Sequence, residues 1–296
     1  GVHRDLLAYL VRRLLENGAN ASFVSQLLDN RIPPREVTAD PVTQAQTWLQ
    51  QPVPGVLPPE DLFQPERRNA AGFDYEEIHS IAELKLMREP FTQTQWQAMP
   101  LLADTVPDNH PHQPPETIYN PANGEVVGTV KHAHPEQIGP AVSAAQNAQS
   151  GWFESGVNKR AKILNCAADL YEQNAGEIFA LLVREAGKTI ADAIAELREA
   201  VDFLRYYAER CEGAAPVGLF TCISPWNFPL AIFTGQISAA LACGNGVLAK
   251  PAEQTPLIAH VAVQILHEAG VPRTALQLLP GGGDVGAALT SDMRIN

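Results

Sequence analysis

At 296 residues, with 45% hydrophobic and 18% charged side chains, the chain has the length of about two ordinary domains and enough apolar matter to bury a core. Its 21 Lys and Arg against 33 Asp and Glu give a formal charge of -12, which disfavours nucleic acid or an anionic membrane surface as a partner of this stretch. No apolar run approaches the ~20 residues that span a bilayer. Cys166, Cys211, Cys222 and Cys243 are scattered, with no C-x-x-C and no histidine pair at zinc spacing. They are expected as reduced, mostly buried thiols of a cytoplasmic protein, with no metal site. Gly1-Val2-His3 carries neither an initiator methionine nor a signal-peptide profile, and the chain stops as a new apolar segment begins, so both ends read as cut.

In chain order, residues 4–28 are expected to be helical, because Leu6, Leu7, Leu10, Val11, Leu14 and Leu15 recur at three- and four-residue spacing. Asn17-Gly18 offers a stop, and Ser22 a cap for a second short helix over Ala21–Leu28. From Arg31 to about Pro65 prolines crowd, including Pro33-Pro34 and Pro58-Pro59, which predicts a connector with one helix near Pro41–Gln51. Residues 76–103 are expected to be helical again. The break at Pro107–Pro115 holds His110 and His112, read as solvated linker.

Beyond this the pattern becomes regular. Thr117-Ile118-Tyr119 and Glu125–Val130 flank a turn at Asn120–Gly124, a hairpin signature. Helices are expected over Pro135–Gly151, Lys159–Asn174, Ala175–Ala186, Thr189–Arg210, Ala231–Cys243 and Pro256–Ala269. Largely apolar strands are expected at Leu219–Ile223, Val247–Ala249 and Leu276–Leu279. Apolar strands alternating with helices predict an α/β fold around a parallel sheet covered on both faces.

Three runs fall just after those strands, where an open parallel sheet gathers its ligands. In Ser224-Pro225-Trp226-Asn227-Phe228-Pro229 two prolines stiffen a loop that carries an asparagine amide. Such an amide suits a carbonyl oxygen becoming an oxyanion, although it also suits a plain turn. In Lys250-Pro251-Ala252-Glu253 a carboxylate could accept both ribose hydroxyls of an adenosine, and a lysine could reach a hydroxyl or phosphate. The same two residues fit a solvent-exposed ion pair. Gly281-Gly282-Gly283-Asp284-Val285-Gly286 matches G-x-G-x-x-G between strand and helix, a backbone able to meet a pyrophosphate or simply a flexible turn.

In this order and spacing, with Arg184-Glu185-Ala186-Gly187-Lys188 upstream, residues 116–296 resemble the aldehyde dehydrogenase superfamily. The resemblance implies the N-terminal part of an NAD-binding, Rossmann-like domain. It implies Asn227 as oxyanion stabiliser, and Ser224, Pro225, Trp226, Lys250, Glu253, Gly283 and Gly286 at the NAD site. The family's nucleophilic cysteine and general-base glutamate would lie C-terminal to this stretch, and Cys222 and Cys243 read as packing residues, so the chain alone is expected to be inactive.

On the first helix Tyr9, Arg12, Arg13 and Glu16 stand three and four apart on one face. That suits a forked grip on a small carboxylate, or else an Arg12–Glu16 surface pair. The run Ala8–Asn20 resembles the last barrel helix of the proline dehydrogenase domain in the PutA family, where these four positions hold the proline carboxylate over a flavin. The resemblance implies residues 1–30 as the end of a (β/α)8 barrel, 31–115 as a linker with helices and 116–296 as the dehydrogenase part. The parent would use FAD and NAD, take L-proline and glutamate semialdehyde as substrates, and form a homo-oligomer. It would contact DNA only through a further N-terminal domain and a membrane only peripherally. The rival expectations are a non-catalytic NAD-binding module and a scaffold protein.

Overall fold

The computed structural model describes residues 3–18, 23–49, 57–107 and 114–295. They fall into two compact units, Gly1–Leu57 and Pro58–Asn296. The first unit contains four helices among its described residues: α1 (His3–Gly18), α2 (Phe23–Leu28), α3 (Pro34–Val37) and α4 (Pro41–Leu49). Pro33 and Pro34 do not interrupt α3 but start it, since a proline at the first turn lacks only an N–H that has no intrahelical partner. On α1, Leu7, Leu10, Leu14 and Leu15 are all exposed. Ser22, His110 and His112 lie outside the described residues.

The second unit opens with α5 (Ile78–Arg88), followed by β1 (Trp96–Ala98), β2 (Glu116–Tyr119) and β3 (Val126–Val130). One expectation fails here, since residues 76–103 are not one helical stretch. Pro90 sits in a tight turn after Arg88, and Trp96 and Ala98 point inward while Gln97 points out, a period of two that belongs to a strand. β1 runs parallel to β3, and β2 pairs with β3 in the expected hairpin. Gly124, at φ 76°, closes that turn by donating to the Asn120 carbonyl at 2.8 Å. Much of the expected connector packs into this unit: Ala70 N donates to Asp202 Oδ1 at 2.8 Å, and Ala71 N to Glu172 Oε1 at 2.9 Å.

The helices α6 (Pro135–Glu154), α7 (Val157–Gln173), α8 (Ala175–Arg184) and α9 (Ile190–Arg210) come next. Then β4 (Leu219–Ile223), β5 (Gly246–Lys250) and β6 (Leu276–Leu278) alternate with α10 (Ala231–Ala242), α11 (Pro256–Glu268) and α12 (Gly283–Thr290). These strands form a parallel sheet in the order β4-β5-β6, with β5 buried along its whole length. Val247 and Ala249 join one core cluster with Phe233 of α10 and Ile258 of α11. Leu248 joins a second with Val142 of α6 and Leu289 of α12. Alternate side chains of β5 therefore enter opposite layers, and each fully buried Leu or Val contributes roughly 1.5–3 kcal/mol. The buried Gln277 of β6 is satisfied, donating to Ala141 O at 2.7 Å and accepting from Ala103 N at 3.0 Å.

Candidate active site

The three glycine- and proline-bearing runs do converge on the carboxyl edge of this sheet. β4 and β5 end together, Ile223 in register with Lys250, and Ser224 N donates to Lys250 O at 3.3 Å. Ser224 is buried and Pro225 half-buried, whereas Trp226, Asn227 and Phe228 are exposed. The loop thus presents the Asn227 amide outward from a fixed strand end.

Two residues not singled out for this role brace the loop from below. Glu196 of α9 is buried, and its Oε2 accepts from Leu230 N at 3.1 Å and Ala231 N at 3.0 Å, the amides that open α10. Its Oε1 lies 2.8 Å from Lys188 Nζ, and that ammonium sits 4.5 Å from the centre of the Phe228 ring. A carboxylate that satisfies free amides at a helix start, with its charge answered by a lysine, fixes where the loop ends and the helix begins. Lys188 belonged to the recognised Arg184–Lys188 stretch. Glu196 had only its helical spacing, which gives no hint of a partner 34 residues away.

The rest of that stretch is structural in the same sense. Arg184 donates to Phe91 O at 2.9 Å and Thr94 O at 2.7 Å. Gly187 turns the chain at φ 66°. Glu185 accepts from Leu257 N at 2.7 Å and Ile258 N at 2.9 Å at the start of α11. Burial pushes its carboxyl up to about 8 despite those two amides.

At the end of β5, Lys250 is not part of a solvent-exposed pair. Its side chain is 4% exposed, and Nζ reaches Glu253 Oε1 at 3.0 Å and Pro251 O at 3.1 Å, while Glu253 is 44% exposed. Burial works to raise the Glu253 carboxyl. Hydrogen bonds from its own backbone N–H and from Lys250 outweigh that and hold it below the usual range. Gly286 joins this pair, because a Cβ there would lie 3.6 Å from Cδ and Cε of Lys250. Gly283 begins α12 in open space, with no side chain capping the helix start, and a Cβ on Gly281 would collide with Val285. The start of α12 thus has no side-chain cap and lies in the same helix as Gly286 beside Lys250, and such a helix start could hold a nucleoside diphosphate.

The pattern of the aldehyde dehydrogenase family matches residues 110–296, and that of proline dehydrogenase matches residues 1–26. The chain belongs to the aldehyde dehydrogenase family. It is 50% identical to the bifunctional protein PutA of Klebsiella aerogenes, an alignment that takes in 100% of this chain and 23% of that protein. A crystal structure of a variant of Bradyrhizobium japonicum proline utilization A superposes with a TM-score of 0.75 at 41% identity, over 100% of this chain and 28% of that one. A variant of Thermus thermophilus 1-pyrroline-5-carboxylate dehydrogenase gives 0.70 at 31% identity, over 77% and 48%. The chain is thus homologous along its whole length to PutA proteins while spanning about a quarter of the curated relatives' length.

Within this aldehyde dehydrogenase frame the thiols divide. Cys222 is buried in β4, and burial pushes its thiol up to about 12. Cys211, at the end of α9, is likewise buried and pushed up to about 12, burial being the largest cause. Cys243 is half-buried at the end of α10, and Cys166 is exposed midway along α7. None stands in the three strand-end loops. No group of three or more His, Cys, Asp or Glu among the described residues could hold a metal ion.

In the other unit, Tyr9, Arg12 and Arg13 are exposed on α1, and the Arg13 guanidinium lies 5.2 Å from the centre of the Tyr9 ring. The side chain of Glu16 lies outside the described residues. No helix among the described residues is long and apolar enough to cross a membrane.

Proposed function

We propose that this chain is a segment of a bifunctional oxidoreductase that converts L-proline to glutamate. In this reading residues 1–30 close a proline dehydrogenase domain and residues 116–296 begin the dehydrogenase that consumes the product. Proline is oxidised with FAD to pyrroline-5-carboxylate, which hydrolyses to glutamate semialdehyde, and the semialdehyde is oxidised with NAD. On α1, Arg12 and Arg13 would fork onto the proline carboxylate with Tyr9 and Glu16 beside them. FAD is the electron acceptor the resemblance implies for that half.

The observation that carries the second half is the meeting of Lys250, Glu253 and Gly286 at the end of β5. Glu253 would accept the two ribose hydroxyls, with Lys250 holding the carboxylate from its buried side. Gly283 and its neighbours would admit the pyrophosphate, with Gly286 leaving room beside Lys250. Ser224, Pro225 and Trp226 form the wall at the next strand end. Bound NAD supplies the hydride acceptor. Asn227 donates its amide N–H to the aldehyde oxygen as a thiolate adds, so that charge developing on that oxygen meets a donor already in place. Cys211 and Cys222 are buried and none of the four cysteines stands in the strand-end loops, which supports assigning the nucleophile to sequence outside these 296 residues. For the chain alone, the same burial favours nucleotide binding without turnover.

Calorimetric titration of the intact protein tests the dinucleotide reading. NAD is expected to bind ~10-fold or more tighter than NADP, because a 2′-phosphate would face the Glu253 carboxylate. Equal affinities would remove Glu253 from the ribose. The 296-residue chain should give no NADH from glutamate semialdehyde, and measurable turnover would sink the proposed inactivity.

A further inference from the structure

Helices α9 and α10 are joined at one end by Glu196, which receives the first amides of α10. Their other ends meet at two cysteines. Cys211 follows the last residue of α9 and Cys243 the last residue of α10, and their sulfurs lie 3.2 Å apart. The surroundings hold both in place. Arg160 of α7 donates from Nε to Ala242 O at 2.9 Å, and Trp152 of α6 from Nε1 to Leu241 O at 3.0 Å, so the closing carbonyls of α10 are tied down. Gly244 then turns the chain at φ 84°, a conformation that costs a residue with a Cβ. The Arg160 guanidinium is close enough to act electrostatically on both sulfurs. Bringing the sulfurs to bonding distance asks for a closure of about 1.2 Å.

We propose that Cys211 and Cys243 form a reversible dithiol–disulfide site, oxidised by a hydroperoxide, that staples the far ends of the two helices whose near ends carry the Asn227 loop. Cys243 is the more exposed of the two and is the first to react. Its sulfur attacks the peroxide O–O bond, taking one oxygen to become a sulfenic acid while the other oxygen leaves as water. The sulfur of Cys211 then attacks the sulfenic sulfur, the S–S bond forms, and the sulfenic oxygen leaves as a second water with the Cys211 proton. Two thiols lose two electrons and two protons, and one hydrogen peroxide is reduced to two waters. Burial keeps Cys211 from reacting alone, so it acts as the resolving partner of a sulfur already beside it. The thiol of a small dithiol reductant reverses the bond by exchange.

The test is a cysteine map of the intact protein after brief exposure to hydrogen peroxide. Trypsin does not cut before Pro251, so Arg210 and Arg273 bracket Cys211, Cys222 and Cys243 in one tryptic peptide, and chymotrypsin, which cuts after Phe220 and Phe233, is the enzyme to use. A Cys211–Cys243 linked peptide is expected, lost on reduction and absent from both Cys211→Ser and Cys243→Ser. Cys211→Ser should trap Cys243 as a dimedone adduct, and Cys243→Ser should leave Cys211 unlabelled. If the serine variants do not fold, the map of the unaltered protein decides alone. Persistence of two alkylatable thiols under conditions that oxidise the exposed Cys166, or sulfinic acid at Cys243 without the linked peptide, would overturn the site. Amide exchange in the last turns of α9 and α10 should slow in the oxidised protein, and unchanged exchange there would overturn the staple.

Discussion

The two small-molecule sites proposed for this chain are built in opposite ways. At the carboxyl edge of β4 and β5 every reactive side chain rests on another: Lys250 on Glu253, the Asn227 loop on Lys188 and Glu196, and α11 on Glu185. On α1 the residues proposed to bind, Tyr9, Arg12 and Arg13, stand on a single exposed helix face, with exposed leucines alongside. The first arrangement is pre-organised by its own domain. The second is spaced by the turns of one exposed helix, with the Arg13 guanidinium 5.2 Å from the centre of the Tyr9 ring. A loss of positioning should therefore act on rate at the sheet edge, and a loss of charge should act on binding at α1.

The largest effect is expected from Asn227→Ala in the intact enzyme. Removing one oxyanion donor should lower the rate of semialdehyde oxidation ~10²–10³-fold with little change in NAD affinity. Steady-state kinetics alongside NAD calorimetry separates these, and an unchanged rate would remove Asn227 from the chemistry. Because the loop is fixed by backbone contacts at Leu230 and Ala231, the variant should keep its fold.

Arg12→Met with Arg13→Met breaks the other side of the comparison. The KM for proline should rise by ~10²-fold through loss of a charge-assisted fork, while semialdehyde oxidation stays intact. A fall in both activities would mean that α1 is not an independent binding face, and the contrast drawn above would fail.

The architecture was largely legible because its signals are local. Leu219–Ile223 is a largely apolar run bounded by Gly218 and the Ser224-Pro225 turn, and it became β4 at those residues. The hairpin likewise carried its own glycine. What was not legible depends on contacts far apart in sequence. Trp96–Ala98 is too short for its alternation to stand out beside a helical stretch, and it is a strand because β3 lies next to it. The burial of Lys250 follows from its place on a central strand with Gly286 alongside, and Glu196 is read only when α10 arrives above it. Motifs located the strand ends, and tertiary packing supplied their supports.

A smaller effect sharpens the dinucleotide side. Gly286→Ala should leave folding intact, since the added Cβ meets Cδ and Cε of Lys250 at 3.6 Å, an ordinary contact. It narrows the space beside the helix start, so NAD affinity should fall ~10-fold, about 1.4 kcal/mol. Unchanged calorimetric affinity would place the pyrophosphate elsewhere than at α12.

An effect on stability, apart from activity, concerns the support at the start of α11. Burial raises the Glu185 carboxyl from 4.5 to about 8, so between those values the folded protein keeps a proton that the unfolded chain has released. Stability from this group is fully present below about pH 4.5 and is lost as pH rises toward about 8, at up to about 1.4 kcal/mol per pH unit. The buried His260 and His267 act with the opposite sign, because burial lowers both below 6.5 and their contribution grows as pH rises to that value. A single melting curve mixes the two, and the difference between the unaltered protein and Glu185→Gln separates them. Glutamine keeps an oxygen for the amides of Leu257 or Ile258 but cannot ionise, so its melting temperature should decline less between pH 5 and 8, by on the order of 10 °C. Parallel melting curves would mean that Glu185 is already an anion in the folded state, its charge carried by the first turn of α11, and the brace at the start of that helix would then be electrostatic and not a neutral hydrogen-bonded cap.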